Sequence, residues 1–177
     1  MTDIAAPRYH RSNLKQLGMT ERTLTLVALV ATLVLDQIVK LGVTAWLGPE
    51  ATEQRWELIG RFVALQYVEN RGAAFGLFEG QTLLLAFAAV IAALILLTEV
   101  AKAAATSRFA AGGIGLVLGG AIGNVVDRVR LGYVVDFVAV GIWPKFNVAD
   151  AAITVGLLIL GWYAFYGHGR EPRTDRN

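Results

Sequence analysis

Of the 177 residues, 55% are hydrophobic and only 17% are charged, and the mean hydropathy is +0.54. Soluble domains carry about 25% charged residues, so this chain has too little polar surface to cover a water-facing globule. A net charge of +2 with no basic stripe excludes a nucleic-acid footprint, and the absence of cysteine excludes disulfides, thiolate nucleophiles and Cys-ligated metals.

In chain order, residues 1–20 form a polar tail. The first membrane span is expected over 23–45, where Leu24 to Leu35 is apolar but for two threonines and the pattern runs past Asp36 and Lys40 to Ala45. As a secretory leader this segment would be cut after Val43-Thr44-Ala45, but Asp36 and Lys40 interrupt it and further apolar runs follow. Phe62 to Val68 is short, β-branched and aromatic, which predicts a strand. Further spans are expected over 80–98, 109–127 and 150–167, where charge-free runs reach about 26–29 Å at roughly 1.5 Å per residue. Between the last two, Gly132 to Val140 predicts a second strand, and residues 168–177 close the chain as a polar tail.

These elements make a membrane α-helical fold, a single integral-membrane domain over 1–177 with four transmembrane helices. Strands between spans cannot sit in lipid with free edges, so they are expected to form a small sheet on the outer surface. An even number of spans puts both termini on one side. The basic residues Arg8, Arg11, Lys15, Arg22, Lys102, Arg108, Arg170, Arg173 and Arg176 place that side in the cytoplasm. Trp46 and Trp143 then mark the outer interface, and Trp162, Tyr163 and Tyr166 the inner one.

Polar groups in such a chain are the informative ones. A carboxylate at mid-membrane costs at least about 2.5–3.5 kcal/mol, so such groups face the bundle interior and pair. Asp36 and Lys40 are four apart on one helical face, the spacing of an orienting ion pair. Gly120, Asn124 and Asp127 or Arg128 share a face of the third span, where small residues allow close helix approach. Asp127 and Arg128 are adjacent and each needs its own partner, so structural support is the expected role.

Asp136 stands in Tyr133 to Val138, a carboxylate with apolar flanks on a strand-like run, a place with no routine structural use for one. Asp150, at the entry of the last span, also reads as a helix N-cap. Both fall at the outer boundary, joined by a loop that can return on itself. Two carboxylates within reach cannot easily both ionise, which leaves an acid and a base near neutral pH, able to activate water against an amide. Other schemes fail on inventory. Ser12 and Ser107 lack an apolar-site histidine, and His10 and His168 lie in the tails, so no paired-His metal set exists within the spans.

Four motifs occur in order: Asp36-Gln-Ile-Val-Lys40; Asn70-Arg-Gly-Ala-Ala-Phe-Gly76; Gly120-Ala-Ile-Gly-Asn-Val-Val-Asp-Arg128 followed by Val135-Asp136-Phe137; and Phe146-Asn147-Val-Ala-Asp150. With them the chain from Leu24 to about Tyr166 resembles the lipoprotein signal peptidases, the signal peptidase II family of bacterial inner-membrane aspartyl proteases. The resemblance implies a four-helix bundle with a small extracytoplasmic β-cradle, acting in the inner membrane as a monomer with its active site at the outer face. It implies cleavage of diacylglyceryl-modified prolipoproteins just before the lipidated cysteine, with no metal or cofactor and with no partner beyond these substrates and membrane lipid. Asp136 and Asp150 match the family's catalytic pair. Asp36, Lys40, Asn70, Gly72, Ala74, Gly120, Asn124, Arg128, Asn147 and Ala149 match positions that support or line the site, and Asp127 does not belong to the pair. The loop between the aspartates is short for the family, and Ala151 replaces a frequent serine.

Two rivals predict different patterns. A small ion-coupled transporter or accessory subunit would spread its charges through the membrane depth, whereas Asp127, Asp136 and Asp150 gather at one face. A scaffold without chemistry leaves Asp136 without a use.

Overall fold

The computed structural model describes residues 11–51, 54–72, 81, 91, 95 and 107–166, without the side chains of 11–20 and 51. The expected span over 80–98 lies outside the described residues apart from 81, 91 and 95, as do Ala74 and the tail 168–177.

Three described helices are long and apolar enough to cross a membrane: α1 (Arg11–Leu47) over its Glu21–Leu47 part, α2 (Arg108–Leu131) and α3 (Val148–Tyr166). α1 begins inside the stretch 1–20 that the sequence marks as a tail. Residues 11–17 hold neither proline nor glycine, so a helix already nucleated by the apolar span extends through them at little cost.

α2 lies between α1 and α3, and its composition explains how. Six of its residues are glycine, and a Cβ added at Gly115 would stand 2.5 Å from the backbone oxygen of Thr25, one at Gly119 2.6 Å from that of Leu29, and one at Gly120 2.5 Å from that of Ala149. Without a driving force from water, helices in lipid associate by close backbone approach, which these positions permit on two faces at once. Ser107 caps α2, its Oγ accepting from the Ala110 N–H, and Gly132 ends it with φ +82, a left-handed conformation that favours glycine. α1 buries Thr32, Asp36, Lys40, Val43 and Leu47 at three- and four-residue spacing. It leaves Leu26, Val30, Val34, Ile38 and Leu41 exposed, an apolar outer face suited to lipid.

The expected strands are present as β2 (Val63–Asn70) and β3 (Val134–Val140). A third, β1 (Trp56–Ile59), follows a turn of 3₁₀ helix at Pro49–Ala51 and was not expected, because its four residues are all exposed and carry little alternation. The sheet is antiparallel in the order β1-β2-β3, with Asn70 opposite Val134 and Val63 opposite Val140. One of its faces closes on the end of α1: Tyr67, Val135 and Phe137 pack with Val43 and Leu47. At the far end of the bundle, Ala110, Ile114 and Leu118 pack with Leu29, Leu160 and Tyr163.

After β3 the chain turns through Gly141 to Lys145 and comes back. Phe146 N donates to Val138 O at 3.1 Å and Val138 N to Phe146 O at 2.9 Å, an antiparallel bridge. That bridge delivers Asn147 and the start of α3 beside Asp136.

Candidate active site

α3 does not begin at Asp150. Its cap is Asn147, whose Oδ1 accepts from the Asp150 N–H at 2.9 Å, while Asp150 Oδ2 accepts from the Asn147 N–H at 3.2 Å. This is a reciprocal capping box, with the carboxylate at the third helical position. The sequence expectation of Asp150 as the cap is corrected by three residues, because asparagine is as good a cap and stands where the strand return ends.

The cap also turns the Asn147 amide outward. With Oδ1 held by a backbone donor, Nδ2 points to Asp136 Oδ1 at 2.7 Å and to Asn124 Oδ1 at 3.1 Å. The same arrangement recurs at two more asparagines. Asn70 Oδ1 accepts from the Gly72 N–H at 3.0 Å, and its Nδ2 donates to Asp136 Oδ2 at 2.8 Å. Asn124 Oδ1 accepts from Lys40 Nζ at 3.0 Å, and its Nδ2 donates to Asp150 Oδ1 at 2.8 Å. Each amide has its oxygen pinned by an obligatory donor and presents its nitrogen to a carboxylate. Asp136 and Asp150 therefore share one donor-lined region, linked through Asn147. Asp136 is 1% exposed, and burial, together with the Asp150 charge, raises its pKa to about 7 against the two amide donors and the charge of Lys40.

Asp36, Lys40 and Asp127 form a buried charge cluster beneath this region. Lys40 Nζ stands 2.8 Å from both Asp36 Oδ2 and Asp127 Oδ2. Asp36 Oδ1 accepts from the Ala149 N–H at 2.9 Å, which ties α1 to the first turn of α3, and Asp127 Oδ2 accepts from the Val135 N–H at 3.3 Å, which ties α2 to β3. The expected Asp36–Lys40 pair is present, and Asp127 has the separate partners it was expected to need. Gln37 was missed. Its Nε2 donates to Asp127 Oδ1 at 3.0 Å and to Asp36 Oδ2 at 3.2 Å, and an amide inside an apolar run was the available signal.

Arg128 turns away from Asp127. Its guanidinium donates to Asn124 O at 3.3 Å and to Gly72 O at 3.4 Å, joining α2 to the residue that holds Asn70. Gly120 and Ala149 contribute shape: Gly120 is bare so that the backbone of Ala149 can approach. Of the expected site residues, all but Ala74, which lies outside the described residues, gather here. At the rim, Arg71 stacks over Tyr133 with its guanidinium 5.2 Å from the ring centre, and Tyr133 meets the buried Tyr67 hydroxyl at 3.2 Å. Among the described residues no three histidines, cysteines or carboxylates converge as a metal ligand set.

The family model of signal peptidase (SPase) II matches residues 28–166, a stretch that includes every one of these described side chains. The chain belongs to the signal peptidase II family. A lipoprotein signal peptidase of Caldanaerobacter subterraneus subsp. tengcongensis is 41% identical over 136 residues, covering 76% of this chain and 91% of the relative. That of Moorella thermoacetica is 38% identical over 141 residues, covering 80% and 92%. A solved bacterial membrane enzyme is similar with a TM-score of 0.74 at 26% identity, over 86% of this chain and 94% of the other; a second gives 0.70 at 27% over 80% and 92%. This peptidase is therefore a membrane-embedded protease of the family that removes signal peptides from prolipoproteins.

Proposed function

We propose that the peptidase hydrolyses diacylglyceryl-modified prolipoproteins just before the lipidated cysteine, with Asp136 and Asp150 as an aspartyl dyad. The observation that carries this reading is the buried Asp136 and the half-buried Asp150 joined through Asn147, one accepting from its side chain and the other from its backbone. Asp150 lies at the N-terminus of α3, where the helix dipole favours negative charge, and serves as the ionised member. Asp136, held by burial near pKa 7, keeps a proton.

Asp150 takes a proton from water as the water oxygen attacks the scissile carbonyl carbon, and Asp136 gives its proton to the carbonyl oxygen. Collapse of the tetrahedral intermediate breaks the C–N bond, with the proton now on Asp150 passing to the leaving amine while a hydroxyl of the intermediate returns its proton to Asp136. The products are a signal peptide with a new carboxylate and a lipoprotein with a free amino group on the lipidated cysteine. The three asparagine amides hold the carboxylates in place throughout and need not move.

In this reading the enzyme is a monomer of the bacterial inner membrane, with both termini cytoplasmic and the sheet and dyad at the outer face. The acyl chains of the substrate stay in lipid, the signal helix lies against the spans, and neither a cofactor nor a nucleic acid takes part. Incubating the purified enzyme with a synthetic diacylglyceryl peptide and reading the products by mass spectrometry tests it. One cut, immediately before the lipidated cysteine, is expected. Cleavage elsewhere, or equal cleavage of the unlipidated peptide, overturns the substrate assignment.

A further inference from the structure

The ammonium of Lys40 has three donors, and all three are used. Asp36 Oδ2 and Asp127 Oδ2 each take one at 2.8 Å, and Asn124 Oδ1 takes the third at 3.0 Å. An ammonium has no acceptor, so the Asn124 atom facing it must be the oxygen. The nitrogen of that amide then has one direction left, toward Asp150 Oδ1 at 2.8 Å. Lys40 is 3% exposed and lies one residue layer behind Asp150, separated from it by the Asn124 side chain.

We propose that Lys40 is a positioning residue for the hydrolysis, acting through Asn124 to keep an amide donor, rather than an amide oxygen, aimed at Asp150. The proposal rests on the dyad reading above. It gives the buried ion cluster a use beyond holding helices together. Asp36 and Asp127 fix the ammonium from two sides, and the ammonium in turn fixes the amide. Asn70 and Asn147 have their oxygens pinned by backbone N–H groups, which no side-chain change removes. Asn124 alone of the three has its oxygen held only by side chains, Lys40 Nζ at 3.0 Å and Asn147 Nδ2 at 3.1 Å, and of these two the ammonium is the charged donor. An amide turned the other way would set its oxygen against the carboxylate and oppose its ionisation. The charged groups around Asp150 are Asp136 on β3, Arg128 on α2, and Asp36 and Lys40 on α1.

The test is a double-mutant cycle read by steady-state kinetics on the purified enzyme with a synthetic diacylglyceryl peptide. Lys40→Met alone would leave Asp36 and Asp127 facing each other, so the cycle is run in an Asp127→Asn background, with unfolding midpoints verifying that each variant is folded. There, Lys40→Met should lower kcat by about 10–100-fold, the scale of one hydrogen bond to a charged group, with KM nearly unchanged. The acidic limb of the pH–rate profile should move to higher pH. With Asn124→Leu also present, Lys40→Met should have no further effect on kcat. Equal factors with and without Asn124, or an unchanged pH profile in Lys40→Met, would mean that Lys40 is structural only. Asp136→Asn is assayed alongside: full turnover there overturns the dyad reading and this proposal together. Turnover lost in Asp136→Asn but indifferent to Lys40→Met overturns the proposal alone.

Discussion

The Asn147 side chain donates to Asp136 across 2.7 Å, although the two residues are separated by a complete chain reversal. One residue thus caps α3 and holds a carboxylate of β3. A change in the cap is a change in what holds Asp136.

The proposed dyad acts as a unit, and that predicts the outcome of its mutants. Asp136→Asn and Asp150→Asn should each lower kcat by about 10²–10⁴-fold or more while the protein still inserts and accumulates. The double variant should be hardly slower than either single one, because the second loss removes a group that no longer has a partner. Peptide cleavage by purified variants, normalised to folded protein, checks this. Substantial turnover in either single variant contradicts the assignment.

The raised pKa of Asp136 sets both a rate and a stability dependence. Below about pH 7 its carboxyl is neutral and can donate to the carbonyl oxygen; above it the proton is gone, so activity should fall as pH rises through about 7. The folded protein also holds a proton that an unfolded aspartate releases near pH 4. The contribution of this group to stability is then greatest below about pH 4 and declines between about 4 and 7. Asp136→Asn removes that decline. Its unfolding midpoint relative to the unchanged protein should be higher at pH 8 than at pH 5, as thermal unfolding in detergent can measure.

Asp127 has a different fate. It sits with Lys40, Gln37 and the Val135 backbone, and no described contact joins it to Asp136 or Asp150. Asp127→Asn should cost about 3 kcal/mol, the lower end of the range for a broken buried ion pair, because Lys40 keeps Asp36. Accumulation and the unfolding midpoint should drop, while activity per folded molecule stays within about threefold. A kcat loss as deep as that of Asp136→Asn would place Asp127 in the chemistry.

Glycines of one helix should differ sharply. At Gly120 a Cβ would meet the Ala149 backbone, one residue before Asp150, whereas at Gly112 nothing lies within 4 Å. Gly120→Ala should cost about 1–3 kcal/mol by overpacking and lower kcat as well, because α3 must shift away from Asn124. Gly112→Ala should be neutral or stabilise by up to about 1 kcal/mol through helix propensity. Unfolding midpoints and turnover of the two variants decide the point.

Orientation can be read by labelling, since the chain has no cysteine of its own. A Cys at Glu57 on the exposed β1 should react with an impermeant maleimide in intact cells, and one at Arg22 should react only after permeabilisation. The reverse pattern would put the dyad on the cytoplasmic side.

Much of this was legible in the chain. Charge-free runs gave α2 and α3, β-branched runs gave β2 and β3, and an i, i+4 spacing gave Asp36 with Lys40. Asp136 stood out because a strand with apolar neighbours has no ordinary need of a carboxylate. What the sequence hid was long-range. The contacts of Lys40 with Asn124 and Asp127 exist only once α1 and α2 are packed, and no local pattern encodes their register. β1 was hidden for the opposite reason, being too short and too exposed to leave a pattern. The position of the α3 cap was hidden because Asn147 and Asp150 both suit a helix start, and the choice is made by the strand return before it.

The bridge between Val138 and Phe146 separates two quantities that a reader of the chain would join, contour length and spatial separation. It closes the loop below its tip, so that the placement of Asp150 against Asp136 is decided by two backbone hydrogen bonds and not by how many residues the excursion contains. Residues 140–145 can therefore be lengthened, shortened or redecorated without retuning the spacing of Asp136 and Asp150. A change in that loop should alter what the peptidase can embrace and leave the placement of Asp150 against Asp136 as it is.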